Sequence, residues 1–184
     1  MKTFIEIGAC DFNNNFDLID AGWKGYFVEP IQQYYDNLAW KVAGTDAVVV
    51  RAAITDFNGE VAMETVLGAT DWLRGISHIS SEVLDNTASG LVKRNAPQSM
   101  EVVKVPALTL DKLLDDYHID HLDFMQMDVE GHELIILKNY SWRIKPAVVR
   151  IEHKFVDDNI LFGLLEDKGY KCWTERDDIY GFLK

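Results

Sequence analysis

The sequence predicts an α/β fold in which a mostly parallel sheet carries helices on both faces. Three observations point there. Strand-like and helix-like runs alternate with short turns between them, the pattern of parallel strands joined by helical crossovers. The stretch from Asp123 to Asn139, DFMQMDVEGHELIILKN, passes from an apolar strand through acid, glycine and acid into an amphipathic run. Finally, Tyr170 to Thr174 and Ile179 to Leu183 read as a closing antiparallel pair around the Arg176-Asp177-Asp178 turn.

In order along the chain, Lys2 to Ile7 is the first strand, and Asn13 to Asn15 can cap a helix over Phe16 to Ala21. Gly25 to Val28 is the second strand, ending at Glu29-Pro30, and Pro30 suits the first turn of a following helix. That helix, Ile31 to Val42, sets Tyr34, Tyr35, Leu38 and Val42 at helical spacing. Ala47 to Ile54, rich in valine, is the third strand. Asp56-Phe57-Asn58-Gly59 then reads as a hairpin turn into Glu60 to Val66, because Asn-Gly is a favoured hairpin pair.

From Leu67 to Met100 the periodicity breaks down into small polar residues, with one short helix expected near Ser80 to Leu84. A segment of that length without a strong period is usually functional, and a lid over a single domain spanning residues 1–184 is the expectation. Val102 to Leu108 is a strand, Thr109 caps a helix carrying Leu110, Leu113 and Leu114, and Leu122 to Val129 is the strand of the acid cluster. Pro146 to Glu152 is another strand, and Asn159 to Lys168 a helix closed by Gly169.

The 18 basic and 30 acidic side chains leave a net charge of −12, which argues against a phosphate-backbone contact and so against a nucleic-acid partner. The two cysteines, Cys10 and Cys172, support neither a disulfide framework nor a zinc site. No apolar run spans a bilayer, and MKTFIEIGAC lacks a secretory pattern, so a cytoplasmic protein with no membrane partner is expected.

In open α/β sheets ligands bind beyond the carboxyl ends of the strands, so chemistry is expected at those ends. The first ends in E-I-G-A-C-D, where Gly8 lets a ligand approach the backbone. The second ends in V-E-P, with Glu29 placed to accept hydrogen bonds from the ribose hydroxyls of an adenosine-containing cofactor. No G-x-G-x-x-G is present, so a pyrophosphate has no cradle, and S-adenosylmethionine, which has none, fits better. Asp128 and Glu130 stand where chemistry is expected, although the same acids could simply cap the next helix. His153 is a candidate general base, because histidine as a residue type changes charge near neutrality. Asp128, Glu152 and His153 could also hold a divalent metal, an arrangement less favoured than a metal-free site. His78 and His132 are weaker candidates, the second because it is expected to point along its helix.

EIGACDF, GYFVEP, AAITDFNGEV, VPALTLDKLL and DFMQMDVEGHELIILKN, in this order, resemble the FkbM family of S-adenosylmethionine-dependent methyltransferases. The resemblance runs from about residue 3 to about residue 155, and D-V-E-G-H-E-L is its most specific element. It implies the class I methyltransferase fold, Rossmann-like, with a mostly parallel seven-stranded sheet and an antiparallel C-terminal strand. It also implies O-methylation of a hydroxyl on a sugar or other small acceptor. Carried over, Glu6, Gly8 and Ala9 would line the methionine end of the cofactor, Glu29 would hold the ribose, and Ala53 and Ile54 would flank adenine. Asp128, Glu130 and His153 would serve catalysis. The first motif departs from the family pattern: Cys10-Asp11-Phe12 follows Gly8-Ala9 with no second glycine, and Asn13 to Asn15 are expected to supply the left-handed backbone instead. Two other functions compete: a binding module with a decayed catalytic site, and a nucleotide-dependent oxidoreductase on the same kind of sheet.

Overall fold

A computed structural model of the protein describes residues 1–66, 76–79 and 100–184. The expected lid therefore lies largely outside the described residues, as does the short helix near Ser80 to Leu84. The main sheet contains β1 (Thr3–Ile7), β2 (Lys24–Val28), β3 (Val48–Val50), β8 (Phe124–Met127), β9 (Val148–Glu152), β10 (Tyr170–Glu175) and β11 (Asp178–Leu183). Their spatial order is β10-β11-β9-β8-β1-β2-β3, and β11 alone runs against β9 and β10 while the remaining pairs are parallel. The order reverses at β1, so the carboxyl ends of β1, β2 and β8 surround the switch point at which such sheets bind ligands.

Helices α3 (Leu110–Asp116), α4 (Glu133–Asn139) and α5 (Asp158–Asp167) pack on one face against Ile5, Ile7, Met125, Met127, Val149 and Ile151. Helices α1 (Phe16–Asp20) and α2 (Gln32–Lys41) contribute Phe16, Ile19 and Leu38 to the other face, against Phe4 and Phe27. Thr109 caps α3 as expected, its hydroxyl accepting from Lys112 N at 3.1 Å. Among the described residues no helix is long and apolar enough to cross a membrane.

The expected third strand divides in two. Val48–Val50 stays in the main sheet beside β2, whereas Ala53–Ile54 forms β4 and pairs in parallel with the end of β7 (Met100–Leu108). This second sheet has the order β4-β7-β5-β6, with β5 covering Gly59–Val66 and β6 His78–Ile79. The Asn-Gly turn consequently builds no β4–β5 hairpin, since β7 lies between them and takes β5 in antiparallel register from Gly59↔Ala107 to Val66↔Met100. A two-residue β4 offers too short an edge to compete with the nine residues of β7. Asn58 instead uses its side-chain oxygen to accept from Thr109 N at 2.9 Å, tying the turn to the start of α3.

Candidate functional site

Gly8 follows β1 in a left-handed backbone, φ +81°, and a Cβ there would overlap the Asp128 carbonyl oxygen. Only glycine lets the ends of β1 and β8 come this close. Left-handed backbone is then supplied by Cys10, at φ +49°, and not by Asn13 to Asn15, none of which has a positive φ. The missing second glycine is thus made good two residues after the first. The turn directs Cys10 N onto Glu29 Oε2 at 2.8 Å, while Ile31 N reaches Glu29 Oε1 at 2.7 Å. Burial pushes the Glu29 carboxyl up to about 7 against the opposing pull of those two N–H groups. Each oxygen of an ionised carboxylate has two acceptor sites, so both retain one for a ligand hydroxyl.

Glu29 and Gly8 open onto a narrow, partly closed cavity. Ala52, Ala53, Ile54, Met63 and Ile79 make its apolar side, so the second sheet closes over the carboxyl ends of the strands of the first. Tyr34 also lines it and is fixed by donating its hydroxyl to Val66 O at 2.9 Å. His132 stands in the wall, its Nε2 2.9 Å from Thr55 Oγ1, and burial holds its pKa below the ordinary histidine value. From the sequence alone His132 is expected to point along a helix. In fact it occupies the N-cap position of α4 and turns into the cavity.

Of the six residues expected at the cofactor, Gly8, Glu29, Ala53 and Ile54 line this cavity and Glu6 and Ala9 do not. Ala9 packs with Phe4 and Phe27. Glu6 lies within a buried polar network, accepting from Asn15 Nδ2 at 2.7 Å and Asn14 Nδ2 at 3.2 Å. Asn15 also donates to Gln126 Oε1 at 3.0 Å, so the residue expected to cap α1 joins strands β1 and β8 instead. Burial raises Glu6 to about 7.

Asp128 forms part of the cavity wall and converges with Glu130 and Glu152, the three offering carboxylate oxygens within 4.8 Å of one another. None of this is helix capping. The loop amides Val129 N and Gly131 N are satisfied by Glu133, at 2.9 and 3.4 Å, and α4 has no side-chain cap bond. Glu130 and Gly131 take consecutive positive φ values of +56° and +102°, which folds the loop around Glu133. The Asp128 and Glu152 carboxyls lie close enough that sharing one proton relieves their repulsion. Burial, reinforced by the Asp128 and Glu130 charges, pushes Glu152 up to about 9; burial raises Asp128 as well. Glu130 rises to about 8 through burial and the Asp128 charge. No N–H or hydroxyl among the described residues reaches Glu152 Oε2.

The structure does not bring His153 to this cluster: its Nε2 lies 3.3 Å from the Arg176 carbonyl oxygen, and its N–H donates to Asp177 O. The residue that meets Asp128 from β9 is Glu152, one position earlier, and the carboxylate set that could hold a cation is Asp128, Glu130 and Glu152. His78, in β6, sits with its Nε2 3.3 Å from Glu64 Oε2 in the second sheet.

The family model described as the methyltransferase FkbM domain matches residues 6–172. Among solved structures, the fibrillarin pre-rRNA processing protein of Methanococcus jannaschii superposes with a TM-score of 0.51 at 12% identity, covering 99% of this chain and 66% of that one. The chain thus spans just under two thirds of that protein, and the likeness is one of fold, the class I methyltransferase arrangement. No curated protein gives a significant match.

Proposed function

The chain belongs to the FkbM methyltransferase family, and from that premise we propose that it is an S-adenosylmethionine-dependent O-methyltransferase acting on a hydroxyl of a sugar or other small acceptor. The residues at the switch point fit that cofactor. Glu29 keeps one acceptor site on each oxygen for two ribose hydroxyls, while the Ala52, Ala53, Ile54, Met63 and Ile79 wall suits an apolar, flat base. His132 and Thr55 add a polar edge to that wall. When bound, S-adenosylmethionine supplies a methyl group on a positively charged sulfur, and an acceptor oxygen takes it as the C–O bond forms and the C–S bond breaks. Asp128 then has two tasks: to orient the acceptor hydroxyl and to take its proton. Burial raises the proton affinity of Asp128 above that of an ordinary aspartate, as a general base near neutrality requires, and the neighbouring Glu152 opposes part of that rise. The observation that carries this reading is the position of Asp128, in the wall of the cavity that Gly8 and Glu29 line and beside the Glu130 and Glu152 carboxyls.

Incubating the protein with methyl-labelled S-adenosylmethionine and a panel of hydroxylated acceptors should transfer label to one class of them, and Asp128→Asn should abolish the transfer. Label lost only to water, at the same rate in both proteins, would instead support a decayed binding module. The convergence of Asp128, Glu130 and Glu152 supports a second reading in which a divalent cation orients the acceptor oxygen. Under that reading magnesium would raise the melting temperature at alkaline pH and a chelator would stop transfer; under the first, neither has an effect.

A further inference from the structure

His132 is a polar group of the cavity wall to which the reading above gives no task. It stands at the N-cap of α4, half-buried, and its ring meets Thr55, the residue directly after Ile54. Thr55 is itself fixed: it is buried, and its backbone N–H donates to Leu108 O at 2.9 Å at the end of β7. The Thr55 hydroxyl has a single proton, which it donates to Asp56 Oδ1 at 3.1 Å. Its contact with His132, 2.9 Å from Oγ1 to Nε2, must therefore be made with a hydroxyl lone pair. The proton of the neutral imidazole is then on Nε2, and Nδ1 is a bare acceptor. Among the described residues nothing donates to Nδ1, and it is not sealed in the core.

Resting on the cofactor reading above, we infer that His132 Nδ1 accepts from the 6-amino group of the cofactor's adenine and so makes the cavity selective for adenine over a 6-oxo purine. S-adenosylmethionine brings few donors with it: the ribose hydroxyls, the methionine ammonium and the 6-amino group. The hydroxyls match Glu29, and the ammonium belongs with the methionine end at the turn after β1. The amino group alone is left in need of an acceptor. The base lies along Ala53 and Ile54, and Thr55 follows them, which sets the His132 ring at the edge of the base. A 6-oxo purine turns a carbonyl oxygen to the same place, so lone pair meets lone pair and binding carries the cost of an unmatched acceptor. The ring has no cheap escape by changing tautomer. A proton moved to Nδ1 would leave the Nε2 lone pair facing a Thr55 oxygen whose hydrogen is committed to Asp56. His132 is thus the group that reads the base, and Thr55 is the positioning residue that fixes its tautomer.

The test compares S-adenosylhomocysteine with S-inosylhomocysteine, which carries a 6-oxo group in place of the 6-amino group, by titration calorimetry into wild type, His132→Phe and Thr55→Val. Wild type should bind the adenine compound at least about tenfold more tightly, as expected when a buried acceptor loses its donor. In His132→Phe the ratio should fall to within about threefold, because phenylalanine keeps the ring and removes the lone pair. Thr55→Val frees the tautomer, so its ratio should lie between those two. A wild-type measurement stands beside the variants: long-range proton–nitrogen spectra of the histidine rings should show His132 protonated at Nε2 and bare at Nδ1, with the Nδ1 resonance moving on addition of S-adenosylhomocysteine. A wild-type ratio near one, a ratio unchanged in His132→Phe, equal weakening of both compounds in that variant, or an Nδ1 that carries the proton overturns the inference while leaving the cofactor reading intact. Failure of S-adenosylhomocysteine to bind wild type overturns both.

Discussion

Glu152→Gln should stabilise this protein at alkaline pH, and by an amount that can be worked out. The Glu152 carboxyl lies at about 9 in the folded protein against 4.5 for the ordinary group, so folding holds a proton that the unfolded chain would release. For an acid shifted upward, stability is whole below about pH 4.5 and falls steadily as pH rises towards about 9. At about pH 8 the deficit spans roughly 3.5 pKa units, or about 5 kcal/mol at about 1.4 kcal/mol per unit. Glu152 is partly exposed, and solvent screening reduces that ceiling to roughly 1–2 kcal/mol. Glutamine keeps the shape, carries no charge to desolvate and can donate to Asp128 in place of the shared proton. In a chain of this size the gain corresponds to a rise of about 2–8 °C in melting temperature at about pH 8, with no change at about pH 4.5. The same substitution should shift the pH at which methyl transfer switches on to a lower value, because Asp128 would ionise beside a neutral donor. Differential scanning calorimetry across that pH range tests the first claim. A melting temperature unchanged or lowered at about pH 8 would refute the reasoning and mean that the Glu152 charge is already neutralised, as a bound cation would do.

Asp128→Asn should reduce turnover by about 10²-fold or more while the protein stays folded, since Asp128 caps no helix; a variant with near-normal turnover excludes it as the base. Glu29→Ala should weaken S-adenosylmethionine binding by about 1–3 kcal/mol and also lower the melting temperature, because Cys10 N–H and Ile31 N–H both lose their acceptor; unchanged affinity in calorimetry removes Glu29 from the site. Gly8→Ala should cost at least about 1–2 kcal/mol from its left-handed backbone alone, with overlap on the Asp128 carbonyl added, and a denaturant midpoint equal to wild type would contradict that packing. Wild-type stability should itself fall between about pH 5 and 9, since Glu6, Glu29 and Glu133 lie at about 7 and Glu130 at about 8, and stability rising over that range would contradict these burials.

The main sheet was legible because each strand–helix unit carries its own period and its own punctuation: Glu29-Pro30 ends β2, and Thr109 caps α3. Local pattern could not show the second sheet. Asn58-Gly59 is a strong hairpin signal, but its strands pair with β7, some 45 residues away, and sequence distance of that order leaves no mark on local periodicity. The residues this sheet brings to the cavity, Met63 and Ile79, were invisible for the same reason. At the acid cluster the strand ends were legible but the neighbour of Asp128 was not. Glu152 and His153 are adjacent, and a strand's two-residue period sends one to Asp128 and the other to the Arg176 carbonyl, a choice that register alone decides. Glu133 carried no distinguishing signal, since a first-turn glutamate is common, yet it is the group that frees Asp128 and Glu130 from capping.

A cofactor with a ribose and an adenine but no phosphate, held between Gly8 and Glu29, requires a distinct binding pattern. Titration calorimetry of S-adenosylmethionine and NADH, each into wild type and Glu29→Ala, tests it most directly. S-adenosylmethionine should fill one site, weakened by the substitution, and NADH should give no heat. Binding of NADH but not S-adenosylmethionine, or S-adenosylmethionine binding indifferent to Glu29, would contradict it.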